Sequence, residues 1–477
     1  MGGKGTGRQG AAQPMVAPAP HPATAGTAMV VLAMKRCASL LASLALCACA
    51  STVQEEAALP NFVLIYVDDV GYGDLGSYGG SFETPRLDQL SEEGLRFTDF
   101  YSASAICSPS RAALLTGRYP PRVGLTSVLF PHHDTGLNPD EVTIPEVLAQ
   151  RGYTSACIGK WHLGHLPQFL PRAQGFDSYY GVPYSNDMDR VKGAKTGLDR
   201  AWREKDFTPW NVPLLENETE IERPADQTTL TTRYTDRAVE FIEEHRDGPF
   251  FLYVAHTMPH IPIFVSDDLW VEDPQRAYER VMLDIDRSVG RIVDAIDAAG
   301  IAEDTLVIFT SDNGPWLQMK HHGGVAGPLR GGKFQTWDGG MRVPCIMRWP
   351  GKLETGAVTA ELGATIDLLP TMATLAGAPL PEDRHLDGVD LTAVLQGQSH
   401  DRAPFHFYRG TKLEAVRDGR WKLHFRKGDD EILELYDLAA DIGESVNLAE
   451  QHPEIVARLT KASAAYLELV GLPEATE

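Results

Sequence analysis

Phe62-Val63-Leu64-Ile65-Tyr66-Val67-Asp68-Asp69 decides the fold of this chain. Six apolar residues follow one another without a polar break, the pattern of a strand covered on both faces in a parallel sheet. The run ends in two adjacent acids. At the end of a buried strand they repel each other unless a cation or hydrogen-bond donors lie between them; the alternative is a solvated turn continued by Gly71 and Gly73. The same grammar recurs down the chain. Tyr153 to Ile158 delivers Gly159-Lys160-Trp161-His162-Leu163-Gly164, Pro249 to Ala255 precedes His256 and His260, and Thr305 to Thr310 ends in Ser311-Asp312-Asn313-Gly314. Leu95 to Tyr101 and Val343 to Trp349 are further strand candidates. Helical stretches lie between: Thr84-Pro85 to Gly94, a capped start at Thr143-Ile144-Pro145-Glu146, Thr228 to His245, Tyr278 to Ala299, and Ile366 to Ala376. This alternation predicts an α/β fold with a site at the strands' carboxyl ends. Residues 185–225 are polar and irregular and read as an insertion over that site.

A second stretch carries chemistry. In Ala105-Ile106-Cys107-Ser108-Pro109-Ser110-Arg111, Pro109 suits the opening of a helix that runs to Gly117. Cys107 then faces the positive end of a short helix, where a tetrahedral anion is readily held. Arg111 lies one turn further on. A lone cysteine beside a helix cap is usually a small core residue. Between Gly323 and Gly340, the glycine-rich Leu329-Arg330-Gly331-Gly332-Lys333 lacks the glycine-lysine-serine/threonine order of a phosphate-binding loop.

The 477 residues exceed one ordinary core, and we divide them into 1–50, 51–400 and 401–477. Residues 1–33 are rich in Gly, Ala and Pro; Met34-Lys35-Arg36 followed by Cys37 to Ala50 reads as a secretory leader. Leu46-Cys47-Ala48-Cys49 resembles a bacterial lipobox, which makes Cys49 a lipidation site, while Ala48-Cys49-Ala50 also fits plain cleavage before Ser51. We expect an exported protein: a periplasmic or membrane-anchored lipoprotein, or a secreted one. Beyond the leader only Cys107, Cys157 and Cys345 remain, neither a disulfide framework nor a paired-cysteine zinc pattern. Cys157 and Cys345 sit in apolar runs, and a bond between them is left open. The net charge of −22 argues against a nucleic-acid or anionic-membrane binder. From about residue 400, short strands (Phe405 to Tyr408, Glu414 to Arg417, Trp421 to Phe425, Leu433 to Leu438) precede a closing helix from Pro453 to Val470.

Cys107-Ser108-Pro109-Ser110-Arg111, with the apolar run to Gly117, resembles the signature of type I sulfatases, and Gly152 to His162 resembles their second signature. The resemblance covers residues 60 to 477. It is nearest to the arylsulfatase A and N-acetylgalactosamine-6-sulfatase branch through Phe169-Leu170-Pro171, Gly181-Val182-Pro183-Tyr184-Ser185 and Pro249-Phe250-Phe251-Leu252-Tyr253. It implies an alkaline-phosphatase-like fold, a large mixed, mostly parallel sheet flanked by helices, with a small C-terminal antiparallel sheet-and-helix subdomain. It also implies hydrolysis of an aryl or carbohydrate sulfate ester with release of inorganic sulfate. Asp68, Asp69, Asp312 and Asn313 match ligands of a divalent cation, Ca2+ with Mg2+ as the alternative, and their all-oxygen donor set suits a hard cation. Cys107 matches the residue that a formylglycine-generating maturation enzyme converts to Cα-formylglycine. One hydroxyl of its hydrate attacks sulfur to give a sulfated enzyme. Arg111 steadies that group. Lys160, Lys333 and His260 match the residues that bind the sulfate and bridging oxygens, with Lys333 or His260 protonating the leaving oxygen. His162 matches the base that removes the second hydroxyl's proton, expelling sulfate. His260-Ile261-Pro262 favours His260 over His256, and His132 and His133 read as solvated loop residues. The substrate expected is a sulfated small molecule or glycan. The alternatives are a phosphonate monoester or phosphodiester hydrolase of the same fold, or a non-catalytic lipoprotein.

Overall fold

Strand β1 (Asn61–Val67) is buried along its whole length. Its pleat sends Val63, Ile65 and Val67 into one apolar cluster and Phe62, Leu64 and Tyr66 into another, so the unbroken apolar run serves two layers at once. Helices Pro85–Glu93, Leu230–His245 and Ala277–Ala298 close the first cluster. Helices Cys107–Thr116, Ile144–Ala149 and Leu368–Ala376 close the second. Each fully buried Leu or Ile here stabilises the fold by about 2 kcal/mol relative to exposure. The structure is a computed structural model and describes residues 58–471; the leader and Cys49 lie outside the described residues.

The other strands are β2 (Leu95–Phe97), β3 (Phe100–Tyr101), β4 (Thr154–Gly159), β5 (Ser178–Gly181), β6 (Leu214–Glu216), β7 (Thr219–Glu222), β8 (Phe250–Ala255), β9 (Thr305–Ser311), β10 (Cys345–Arg348), β11 (Ala357–Thr359) and β12 (Gly363–Ala364). They are followed by β13 (Phe405–Arg409), β14 (Lys412–Asp418), β15 (Trp421–Lys427) and β16 (Asp430–Asp437). The large sheet has the order β11-β2-β10-β9-β1-β8-β4-β5-β6-β7. Its centre is parallel, β1 lying between β8 and β9 and β4 between β8 and β5. β10, β6 and β7 supply the antiparallel pairings, so the sheet is mixed and mostly parallel.

Three sequence expectations change. The stretch from Leu95 to Tyr101 is two strands, because Asp99 turns aside to pair with Arg342 and Arg417, leaving β3 to join β12 in a separate ribbon. Residues 185–225 are not irregular throughout. They hold helix Leu198–Glu204 and the β6–β7 hairpin, whose exposed Thr-Glu-Ile-Glu edge reads as loop by composition while blunting the sheet edge. Pro109 does not open its helix: Ile106 is the N-cap, Cys107 is the first helical residue and Gly117 closes the helix at φ 66°. Cys157 and Cys345 are free buried thiols. β4 and β10 stand four strand spacings apart, about 19 Å, far beyond the reach of a disulfide.

β13–β16 form an antiparallel meander that carries helix Pro453–Val470. This sheet grips the segment after Lys333. Lys422 Nζ donates to Asp338 at 2.7 Å and to the Thr336 carbonyl at 2.9 Å, and Glu444 accepts from the Asp338 N–H at 2.7 Å. Among the described residues no helix is long and apolar enough to cross a membrane.

Candidate active site

Five neighbouring strands, β9-β1-β8-β4-β5, deliver polar groups at their carboxyl ends. Asp68 and Asp69 leave β1, Asp312 and Asn313 leave β9, Lys160 and His162 leave β4, and His260 follows β8. Cys107 comes from the helix beneath. Lys333 comes from the glycine-rich segment, which is pinned by Lys333 N–H to the Pro315 carbonyl and Phe334 N–H to the Ala105 carbonyl, both at 2.9 Å. The turn after Asp69 is not a solvated one. A Cβ on Gly71 would stand 2.2 Å from the Val325 carbonyl oxygen, and Asp74 accepts from the N–H groups of Gly71 and Val325 and from the Tyr278 hydroxyl. Gly159 holds φ 114° with Ala255 O packed where a Cβ would go, which lets the chain turn into Lys160.

The oxygens of Asp68 and Asp312 and the sulfur of Cys107 lie within 4.8 Å of one another, as do the donor atoms of Asp68, Asp69 and His260. Around them stand three buried cations. Lys160 Nζ bonds Asp68 and lies 3.1 Å from Ser185 Oγ. Lys333 Nζ reaches Asp69 at 2.6 Å. Arg111 holds Asp312 at 2.9 Å, stands 3.5 Å from Asp68, and donates to the Lys160 carbonyl at 2.9 Å. Arg111, Lys160 and His162 have no exposed surface, and the Arg111 and Lys160 charges survive only through these partners. Asp69 and His162 take φ of 66° and 62°, left-handed values that side-chain-bearing residues adopt at a cost of about 1–2 kcal/mol; such strain collects at functional sites.

Electrostatics sort the group. Burial pushes the Asp312 carboxyl up to about 7, with Asp68 adding to the rise. Burial would raise Asp68 as well, but Lys160, His260, Arg111 and Lys333 hold it well below the usual carboxylate range. Burial drives His162 well below its ordinary value, helped by Lys160 and Arg111, and His260 down to about 4, helped by Lys333. The Cys107 thiol is pushed up by burial despite Lys160 and Lys333, so as encoded it is a protonated, weak nucleophile. Asp68 Oδ1 and Asn313 Oδ1 are buried without a partner. Crowded carboxylates, orphaned oxygens and an all-oxygen donor set fit a hard divalent cation.

Two family models match the chain between residues 60 and 466. The sulfatase model covers residues 60–378, and the model for the C-terminal region of N-sulphoglucosamine sulphohydrolase covers 332–466. The chain belongs to the sulfatase family. Human arylsulfatase A is 41% identical over 441 residues, 84% of this chain and 86% of the relative. Mouse N-acetylgalactosamine-6-sulfatase is 41% identical over 380 residues, covering 76% and 72%. The crystal structure of PsFucS1 sulfatase from Pseudoalteromonas sp. superposes with a TM-score of 0.77 at 28% identity, covering 93% of this chain and 95% of that one. The sulfatase is therefore a sulfuric ester hydrolase on the alkaline-phosphatase-like fold.

Two histidine choices separate in the sulfatase. His260 Nε2 stands 3.8 Å from Asp69, whereas the His256 Nε2 meets Ser288 Oγ at 3.1 Å and its ring lies against Tyr234. His132 and His133 cluster with Phe130 on the loop whose Leu129 carbonyl meets His162 Nε2 at 2.9 Å. Sequence reading did not assign Ser185, between Lys160 and His260, or Asn186, whose amide donates to the His260 and Pro262 carbonyls. Their signal was present: they follow β5, where polar residues after a buried strand again mark the site. His256 gives a pH prediction. Burial lowers it to about 4, so below pH 6.5 the unfolded chain binds the proton that the folded chain refuses, and stability falls with pH. Urea unfolding of His256→Gln should show a gain relative to the parent of about 3 kcal/mol on going from pH 7 to pH 4; a difference independent of pH would overturn this.

Proposed function

We propose that the sulfatase cleaves aryl or carbohydrate sulfate esters at Cys107 after that residue has been oxidised to Cα-formylglycine. The observation that carries the reading is the convergence of Cys107 with Asp68 and Asp312 inside a ring of Arg111, Lys160 and Lys333. Hydrated, the aldehyde supplies two hydroxyls, one to attack sulfur and one to release the product. Asp68, Asp69, Asp312 and Asn313 would hold a divalent cation, calcium or alternatively magnesium, which lowers the pKa of a hydroxyl and polarises sulfate oxygens.

The chain's own side chains do the rest. Lys160 and Lys333 offer the sulfate's oxygens fixed positive charge in a water-poor pocket, where such charge stabilises a crowded transition state most. Lys333, kept cationic by Asp69, has a proton to give to the leaving oxygen. His260 Nδ1 lies 2.7 Å from the Ile261 carbonyl, which places its proton there and leaves Nε2 toward Asp69. His162 Nε2 faces the Leu129 carbonyl and so carries the proton, while its buried Nδ1 has no partner. That Nδ1 is the base on the release step, and its lowered pKa keeps it ready at neutral pH. Arg111 orients Asp312 and Asp68 rather than reaching out to substrate.

The names of the relatives support both an aryl and an amino-sugar sulfate as the ester. The leader at 34–50 supports export, with acylation of Cys49 as one route, and the Cys107 to Arg111 signature supports a separate maturation enzyme. Residues 51–400 would form the catalytic domain and 401–477 the subdomain that grips the Lys333 segment.

Metal removal tests the reading. Treatment with a chelator should abolish turnover of 4-nitrophenyl sulfate, and calcium or magnesium should restore it. Calcium should also raise the Tm in a concentration-dependent way, since it binds the folded state alone. Indifference of both activity and Tm to chelator would sink the cation assignment. Turnover of an aryl phosphonate in preference to the matched aryl sulfate would replace the sulfate reading with the phosphonate one.

A further inference from the structure

Phe334 breaks two ordinary rules. It is a bulky aromatic at φ 73°, in a region where such side chains crowd the backbone, and 41% of its surface is exposed. The Ala105 carbonyl fixes it there by accepting its N–H. Its ring meets Trp316 edge-on, with centroids 5.4 Å apart and planes at 78°. The Trp316 ring lies 4.8 Å from Lys333 Nζ and 5.7 Å from the His260 ring. Lys333 and His260 are buried, Trp316 is half-buried and Phe334 is exposed, so the aromatic pair stands on their solvent side. A large apolar ring held exposed contributes little to the core, and a bulky residue kept at a strained φ is a mark of active sites and ligand clamps.

We propose that Trp316 and Phe334 form a right-angled aromatic corner that receives the ring carrying the sulfate ester, arene or pyranose. The inference rests on the sulfatase reading above and deepens it, selecting ring-bearing sulfates over short alkyl sulfates. With the sulfate held by Lys160 and Lys333, the bridging oxygen points outward past Lys333, and the ring attached to it meets the corner first. The π-face of an arene or the C–H face of a pyranose packs on aromatic rings, and the offset and edge-on geometries available in a corner are the favoured ones.

The test compares 4-nitrophenyl sulfate, N-acetylgalactosamine 6-sulfate and ethyl sulfate on the matured enzyme and on Phe334→Gly, Phe334→Leu and Trp316→Leu. Phe334→Gly and Trp316→Leu should raise KM for the two ring sulfates about three- to tenfold, with kcat changed less than about twofold and ethyl sulfate little affected. Phe334→Leu, which keeps the apolar bulk without the π-face, should fall between. Glycine accepts the positive φ, so the Tm of Phe334→Gly should hold or rise. Equal losses on ethyl sulfate and the ring sulfates would overturn the proposal, because the residues would then act by placing Lys333. Binding separates this from the sulfatase reading. Calorimetry of the Cys107→Ala protein should show 4-nitrophenyl sulfate tighter than ethyl sulfate, with the difference lost in Cys107→Ala/Phe334→Gly. A parent enzyme that cleaves no sulfate ester yet keeps this preference would overturn the sulfatase reading and leave the corner standing. Cleavage of all three esters without preference would do the reverse.

Discussion

Cys107→Ala is expected to lower kcat on 4-nitrophenyl sulfate by roughly 10^4-fold or more, the loss that follows removal of a covalent nucleophile. The fold should survive. Cys107 is the first residue of its helix, alanine is the best helix former, and the deletion removes one buried sulfur, costing about 1 kcal/mol. The far-UV spectrum and Tm should therefore stay near the parent's while activity vanishes. The cations of the pocket remain in place, so inorganic sulfate should still bind. Residual turnover within a hundredfold of the parent would move the chemistry elsewhere, for instance to a water activated directly beside Asp312.

His162→Asn is expected to cleave one ester per enzyme and then stop. Asparagine tolerates the φ of 62° that this position demands; its amide extends only as far as Nδ1 did, so the Leu129 carbonyl loses the bond that His162 Nε2 gave it. What it lacks is a base in place of Nδ1. A burst of one equivalent of alcohol should precede a steady rate lowered about 10^2- to 10^4-fold, and the peptide containing residue 107 should gain the mass of one sulfuryl group. Steady turnover at the parent's rate, or a slow rate with no burst and no added mass, would remove His162 from the release step. Because burial lowers the His162 pKa, the base form persists below pH 6.5, and the acid limb of the parent's kcat profile should lie below that value.

Much of this architecture was legible in the sequence because one physical pattern repeats. Apolar runs that end in polar pairs gave β1, β4, β8 and β9 together with Asp68, Lys160, His260 and Asp312, since a strand buried on both faces cannot hide its polarity until it leaves the sheet. The pairings were not legible. Nothing in the spacing of Lys160 and Lys333 says that the first grips Asp68 and the second Asp69. Nothing local marks Arg111 as a brace on Asp312 rather than a ligand for substrate. The β6–β7 hairpin escaped because a solvent-facing edge strand carries the same Thr and Glu as a loop. Phe334 escaped because an aromatic in a glycine-rich stretch gives no sign of the backbone region it occupies.

The order of the sheet has a consequence in time. Cys107 is 2% exposed under a site whose walls are built from β1, β4, β8 and β9 and closed by Lys333. A ribosome makes Cys107 226 residues before Lys333. At about 5–20 residues per second, that interval lasts roughly 10–45 s. Throughout it β9 and its Asp312 are missing or barely made, β1 lacks one of its two neighbours, and the Cys107 thiol sits on an unclosed nascent chain. In the finished fold the thiol is buried, so an enzyme that acts on residue 107 would have to reach it before the pocket closes.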